Sequence, residues 1–437
     1  TGRSSGGGVW QMREMKDSGI EWIGEIPADW TLQRGKTIFA QRLTKGNQSE
    51  ILLAATQKYG MLPQSEVEGV VQVKEDADLQ QFRTVHKKDF VISLRSFQGG
   101  FEYSQYEGVC SPAYQVFYNT NPICHNYYRL LFKSDGFIQK MNSMTVGIRE
   151  GKNIQYSDFA DSLIPVPPIN QQQRIADYLD RKCSQIDSII ARQQEVIEKL
   201  KAYKLSVITE TVTKGLSPDV PMKDSGIDFI GSIPETWRIC RLRNIGTLQN
   251  GISKGGEFFG HGFPFVSYGD VYRNFSLPVQ VAGLIDSSDE ERRNYSVESG
   301  DIFFTRTSET IEEVGFSSVC EETIPDATFA GFLIRVRPFT DDLVPKFAKY
   351  YFRSNHHRYY LVKQMNLVTR ASLGQDLLKS MPVLVPPKDE QISIAAYLDK
   401  KCGAIESSIE YKQRVIERLT SYKKSLIYEV VTGKKEV

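Results

Sequence analysis

Met15-Lys16-Asp17-Ser18-Gly19-Ile20-Glu21-Trp22-Ile23-Gly24-Glu25-Ile26-Pro27-Ala28-Asp29-Trp30 recurs as Met222-Lys223-Asp224-Ser225-Gly226-Ile227-Asp228-Phe229-Ile230-Gly231-Ser232-Ile233-Pro234-Glu235-Thr236-Trp237, with eleven of the sixteen positions identical. The offset is 207 residues (222 − 15), about half of the 437-residue chain. Solenoids and propellers repeat every ~20–50 residues, so a period this long means a duplicated domain.

A second pair of matching blocks lies further on. Ile175-Ala176-Asp177-Tyr178-Leu179-Asp180-Arg181-Lys182-Cys183 returns as Ile394-Ala395-Ala396-Tyr397-Leu398-Asp399-Lys400-Lys401-Cys402, at an offset of 219 (394 − 175). Each follows a proline block, Leu163-Ile164-Pro165-Val166-Pro167-Pro168 or Val383-Leu384-Val385-Pro386-Pro387. Prolines this dense exclude a helix and restrict the residues before them. The second insert is therefore 12 residues longer (219 − 207), while the shared blocks keep their length. A fixed frame carries two exchangeable inserts, residues 31–156 and 238–375.

Both inserts mix short β-type runs with turn residues. Asp89-Phe90-Val91-Ile92-Ser93-Leu94 and Tyr114-Gln115-Val116-Phe117-Tyr118 are strand candidates ended by Gly-, Asn- or Pro-containing turns, and Tyr127 to Lys133 has a helical pattern. Gly300-Asp301-Ile302-Phe303-Phe304-Thr305-Arg306 stands where Lys88 to Leu94 stood. The fold class is α+β with mainly antiparallel sheets.

After Asn170, a candidate N-cap, the spacing predicts a long helix from Gln171 to about Lys214. Leu179, Ile186, Ile189, Val196, Leu200, Tyr203 and Val207 recur at steps of three and four, interrupted by Lys182 and Gln193 and widened by Ile190 and Ile197. Leu398, Ile405, Val415, Leu419, Tyr422 and Leu426 retrace this heptad seam in a second helix, with Ser408 and Lys412 as its polar positions. Two equal seams are most simply buried against each other as an antiparallel coiled coil with a pseudo-two-fold. The expected helix interface is Leu179, Ile186, Ile189, Val196, Leu200, Leu398, Ile405, Val415 and Leu419. The first helix runs into the second copy of the opening stretch, so residues 15–30 are expected against the end of the second helix.

No apolar run approaches the ~20 residues that span a bilayer, and Thr1 to Gln11 is a small, Gly-rich stretch rather than a secretion signal. The six cysteines lack the close spacing of a zinc or redox motif and suit buried apolar positions in a reducing cytoplasm. The net charge of +1 permits nucleic-acid binding only if the basic groups are segregated.

Catalysis finds little support. There is no Walker-type loop, and the Gly-rich run Leu248 to Gly256 lacks a strand–loop–helix context. His356-His357 is the only His pair, and adjacent helical residues point in different directions. No metal site is expected. Binding is better supported. Leu343 to Gln375 holds no Asp or Glu, but it holds Lys346, Lys349, Arg353, Arg358, Lys363 and Arg370 among aromatic residues. That pattern suits a phosphate-contacting surface. The first insert has a weaker equivalent in Arg129, Lys133, Lys140, Arg149 and Lys152. Arg, Lys, Asn and Gln in candidate loops (Arg42, Lys45, Arg95 and Gln98; Lys254, Arg273, Asn274 and Arg306) are the types that read base edges. The DNA-binding candidates are these eight with Arg149, Lys152, Lys346, Arg353 and Arg370.

The two D-S-G-I-x-x-I-G-x-I-P-x-x-W stretches, the two V-P-P blocks and the two I-A-x-Y-L-D helix starts together resemble the specificity subunit of type I restriction–modification systems, over nearly the whole chain. One departure is Gln171-Gln172-Gln173 in the place of Asp389-Glu390-Gln391. The resemblance implies two target-recognition domains separated by two conserved antiparallel helices. The expected order is a leader (1–14), the first recognition domain (15–162), a proline block with the first helix (163–215), the second recognition domain (216–375), and the second block with its helix (376–437). It also implies a non-catalytic, cytoplasmic reader of double-stranded DNA. Each domain would recognise half of a bipartite asymmetric site, with the helices setting the gap. Two methyltransferase subunits would methylate adenine and motor–nuclease subunits would restrict. S-adenosylmethionine, ATP and Mg2+ would belong to those partners, consistent with the absence here of an N-P-P-[YF] motif. A protein-binding scaffold with exchangeable domains on a coiled-coil frame is the alternative.

Overall fold

The computed structural model describes residues 13–46, 51–67, 79–94, 100–144, 154–308, 314–364 and 371–437. The chain divides into two compact units, residues 1–193 with 414–437 and residues 194–413. The two long helices, Ile169–Lys214 and Lys388–Val431, are cut by this division. Each unit thus holds one insert, the first part of one helix and the last part of the other. No helix among the described residues is long and apolar enough to cross a membrane.

The first unit is built on a four-stranded antiparallel sheet, in the order Phe39–Arg42, Gln115–Asn119, Phe90–Ile92, Phe101–Tyr103. Alternate residues of a strand face opposite sides, and here both sides are covered. Phe90, Ile92 and Phe117 enter an aromatic core shared with the helices. Val91 and Val116 enter a smaller core under the hairpin of Leu53–Thr56 and Gly60–Pro63.

The second unit repeats the sheet with Gly246–Asn250, Leu333–Pro338, Ile302–Thr305 and Ser317–Val319. Ile302, Phe304, Ile334 and Val336 face the core containing the helices; Phe303 and Leu333 face the other. Its larger second layer includes Phe259–Val266, which pairs in parallel with Thr328–Phe329. The rest of the named strand pairs are antiparallel, as the α+β class anticipates.

The duplicated stretch is a mount. In its first copy Gly19 N donates to Asp17 Oδ1 (2.9 Å) and Ile20 N to Ser18 Oγ (3.1 Å); in its second, Gly226 N donates to Asp224 Oδ1 (3.0 Å) and Ile227 N to Ser225 Oγ (3.1 Å). Gly19 and Gly226 sit at φ 66° and 68°, where a side chain would be strained. Trp30 Nε1 donates to Gln171 Oε1 (2.8 Å), and Trp237 Nε1 to Glu390 Oε2 (2.9 Å), at the starts of the long helices. Glutamine can accept this bond as glutamate does, so the departure at Gln171 leaves the joint intact.

The next residue of each helix is a buried glutamine. Gln172 accepts from Cys124 N and donates to Pro167 O, both at 2.9 Å; Gln391 accepts from Val344 N and donates to Asp342 O and Pro386 O, all at 2.8 Å. The proline blocks lie as strands against the residues after each Trp, Leu163–Val166 on Thr31–Arg34 and Pro382–Val385 on Arg238–Arg241. Residues 15–30 do pack at the end of the second helix: Ile23, Ile26 and Trp30 share a core with Leu426, Val430 and Val431. Residues 13 and 14, expected in the leader, contact the duplicated stretch and the first helix. Arg13 Nη2 binds Asp29 (2.9 Å) and Gln171 (2.6 Å), and Ala28 N donates to Glu14 O (2.9 Å).

The helix seam differs in phase from the expectation. The inward positions are Leu179, Cys183, Ile186, Ile190, Gln193, Ile197, Leu200, Lys204, Val207 and Thr211. Their equivalents are Leu398, Cys402, Ile405, Ile409, Lys412, Ile416, Leu419, Lys423, Leu426 and Val430. One of the two heptad positions was placed correctly and the other lies one residue further on. Ile189 is therefore 46% exposed, and Tyr203 and Tyr422 are exposed as well, whereas Ile197 is buried. Val196 is only half-buried; Val415 is half-buried beside Ile416. The apolar Ile189, Val196 and Tyr203 drew the stripe off a seam that includes Cys183 and Lys204. Asn170 is also displaced: it lies inside the helix, and Pro168 O accepts the first bond, from Gln171 N at 2.8 Å.

Candidate nucleic-acid interface

Within each unit the sheet has an end near the helix mount and an end away from it. In the first unit, Gln115–Asn119 leads from its last residue towards Cys124, which is held by Gln172. In the second, Leu333–Pro338 leads towards Val344, which is held by Gln391. The opposite, free ends carry Gln115 with Ser93 and Leu94 in one unit, and Phe332 with Asn250 and Arg306 in the other.

Both free ends are closed by an amide pair. Gln115 Nε2 donates to Gln155 Oε1 at 3.0 Å, and Gln115 Oε1 accepts from Tyr156 N at 2.7 Å. In the second unit Gln375 Nε2 donates to Asn250 Oδ1 at 3.0 Å. Backbone bonds draw the flanking chain together there: Ser93 N to Gly100 O (2.7 Å), Arg306 N to Phe332 O (2.9 Å) and Leu373 N to Arg306 O (2.7 Å). Large apolar side chains stand exposed beside them, Leu43 and Leu94 in the first unit and Phe332 in the second. Arg306 is half-buried, and its side chain makes no hydrogen bond or ion pair among the described residues.

The other sequence candidates are placed as follows. Arg42 donates through Nε and Nη2 to the buried Asp89 (2.7 and 3.0 Å) and lies over the Tyr118 ring. The second unit makes the same bidentate contact from a different strand, Arg337 to Asp301 at 2.7 and 2.6 Å. Lys45 is exposed and donates to Gln81 Oε1 (2.6 Å). Lys254 pairs with Glu291 (2.7 Å), and Asn274 Nδ2 donates to Asp270 O (2.8 Å). Arg273 and Lys346 are exposed. Arg95, Gln98, Arg149, Lys152 and Arg370 lie outside the described residues.

The basic stretch from Leu343 is corrected most. It forms two helices, Pro345–Tyr351 and Asn355–Gln364, that belong largely to the mount. Arg353 is buried and donates to the carbonyls of Ser317, Val271, Tyr272 and Asn274; burial, with Arg358 beside it, pushes its pKa down to about 10, so it stays charged at neutral pH. Lys349 binds Glu321 and Asp399, each at 3.0 Å. Arg358 donates to Val314 O. Lys349 thus finds its counter-charges elsewhere in the fold, while Arg353 and Arg358 are held by backbone carbonyls. In the first unit Arg129 and Lys133 are likewise held, by Asp180 and Glu102, each at 2.7 Å.

His357 is enclosed against Tyr351 and Ser354, and burial pushes its pKa down to about 3. It is a core histidine. Five of the six cysteines are buried and all are free.

Sequence reasoning missed Asn250, Gln375, Gln115, Gln155, Leu43 and Phe332. The internal repeat held part of the signal. At the offset of 212 that joins Lys88 to Gly300 (300 − 88), Leu94 stands at the place of Arg306.

Two copies of one mount, each carrying a divergent sheet, define a duplicated two-unit architecture. The chain belongs to the family of the type I restriction modification DNA specificity domain, whose model matches residues 12–199 and 234–417. It is 24% identical over 318 residues to the type I restriction enzyme EcoKI specificity subunit of Escherichia coli K12, covering 69% of this chain and 63% of that protein. It is 24% identical over 445 residues to the putative type I restriction enzyme MjaX specificity subunit of Methanocaldococcus jannaschii, covering 94% and 95%. Among solved structures it shares its fold with a chain from work on complex assembly and conformational transition of the type I R-M system (TM-score 0.70, 15% identity, 94% of this chain and 99% of the other). The HsdS subunit of Thermoanaerobacter tengcongensis is a further likeness (TM-score 0.51, 14% identity, 94% and 98%).

Proposed function

We propose that the chain is the DNA-reading, non-catalytic subunit of a type I restriction–modification complex. Each unit reads one half of a bipartite, asymmetric site through the major groove, and the long helices set the unspecified gap. Partner methyltransferase subunits use S-adenosylmethionine to methylate adenine in each half, and motor–nuclease subunits use ATP and Mg2+ to restrict. The observation that carries this reading is where the two halves differ. The turn bonds, the Trp bond and the buried glutamine of the mount recur in both copies, while the free ends of the sheets differ in sequence but share a chemistry of amides with exposed apolar side chains. Two half-sites of unlike sequence call for that division.

Electrophoretic shifts of a duplex carrying the cognate site, run over a series of salt concentrations, test it. The logarithm of the affinity falls linearly with log[salt], at about −0.9 per phosphate contacted, and the cognate duplex outcompetes a scrambled one. Failure to prefer the cognate duplex, or a flat salt response, contradicts the reading.

A further inference from the structure

We propose that Phe332 is a specificity-determining side chain that packs on the C5 methyl group of a thymine in the half-site read by the second unit. This rests on the DNA-reading function proposed above.

Phe332 is 63% exposed, although Leu333 and Ile334 beside it are fully buried. Its backbone is held on several sides. Ala330 N donates to Val266 O (3.0 Å), Gly331 N to Ile252 O (2.7 Å) and Leu333 N to Ala330 O (2.9 Å), while Phe332 O accepts from Arg306 N (2.9 Å). The close approach behind it needs two glycines. A Cβ on Gly251 would collide with the carbonyl oxygens of Phe329 and Ala330, and one on Gly331 with Ser253 Oγ. The backbone is thus fixed where it turns this side chain outward, and little backbone ordering remains for binding to impose.

Its surroundings select the occupant. Arg306 is half-buried, with a guanidinium uncommitted among the described residues, and Asn250 and Gln375 hold each other at the same sheet end. Arginine pairs with guanine edges, amides pair with adenine edges, and an apolar ring meets the thymine methyl, all in the major groove. A wedge that unstacks bases works from the minor groove, and the arginine and amides beside this ring suit base edges in the major groove better.

The test uses the full chain and a duplex carrying the site found by methylation sequencing, with each thymine replaced in turn by deoxyuridine, which removes only the methyl. One replacement should weaken wild-type binding by about fourfold, the worth of one buried methyl. Phe332→Ala should be insensitive to that same replacement, and Phe332→Leu should keep part of the sensitivity. Equal sensitivity in wild type and Phe332→Ala overturns the assignment, as does undiminished binding by Phe332→Ala. A site without thymine in either strand also overturns it. If wild type does not prefer its site to a scrambled duplex, the DNA-reading function fails as well; if it does, a negative result concerns Phe332 alone.

Discussion

Lys423 Nζ bonds both carboxylate oxygens of Asp187, at 2.7 and 2.6 Å, in the first unit. The offset of 219 turns this pair into Glu406 and Lys204 (187 + 219; 423 − 219), which form an ion pair in the second unit. One contact has been duplicated with the chain, at a seam position that an apolar residue would otherwise fill. Asp187→Lys should lower the melting temperature slightly, since a pair this exposed contributes no more than about 1 kcal/mol. Adding Lys423→Asp should restore it. A double variant no better than the single one would show that the two side chains do not interact.

The seam phase can be tested by truncation. Ile197→Ala should cost about 2–5 kcal/mol, the range for a buried isoleucine. Ile189→Ala should stay within about 0.5 kcal/mol, as exposed positions do. Urea denaturation of the two variants decides, and the reverse order would restore the phase that the sequence pattern suggested.

The mount makes a sharper demand. Gln391→Leu leaves Val344 N, Asp342 O and Pro386 O without the partner they have now. Each buried group so orphaned costs about 1–3 kcal/mol. Gln391→Glu keeps the acceptor for Val344 N and loses the donor. Both variants should be less stable than wild type in chemical denaturation, Gln391→Leu the more so; wild-type stability in Gln391→Leu would remove this glutamine from the mount.

His357 gives a pH dependence. Its folded pKa is depressed to about 3, below the usual histidine value of 6.5, chiefly by burial. The unfolded chain therefore takes up a proton first, and stability present above pH 6.5 is lost as the pH falls from 6.5 towards 3. Between pH 6.5 and 5 the loss from this one group is about 2 kcal/mol. Denaturation midpoints at the two pH values should differ less in His357→Asn than in wild type. An equal difference would assign the acid sensitivity to other groups.

The frame was legible in the sequence because its parts obey local rules. Proline blocks, heptad spacing and a repeated sixteen-residue stretch each betray their structure without tertiary information, as does the strand at Phe90. The seam was missed by one residue because apolar content decided the stripe, whereas packing admitted Lys204 and Cys183. The basic stretch misled for a related reason. Arg353 and Lys349 look uncompensated in sequence, but carbonyls and acids up to 82 residues away answer them. The free sheet ends were hidden, since nothing in a single sequence marks Phe332 as exposed and Leu333 as buried.

The central claim is that the two inserts read separate halves of one site. Its most direct test is methylation sequencing of a host that expresses this chain with its partner methyltransferase, before and after residues 238–375 are exchanged for those of a relative. One half of the methylated site should change, with the other half and the gap retained. A change in both halves, or in neither, would contradict it.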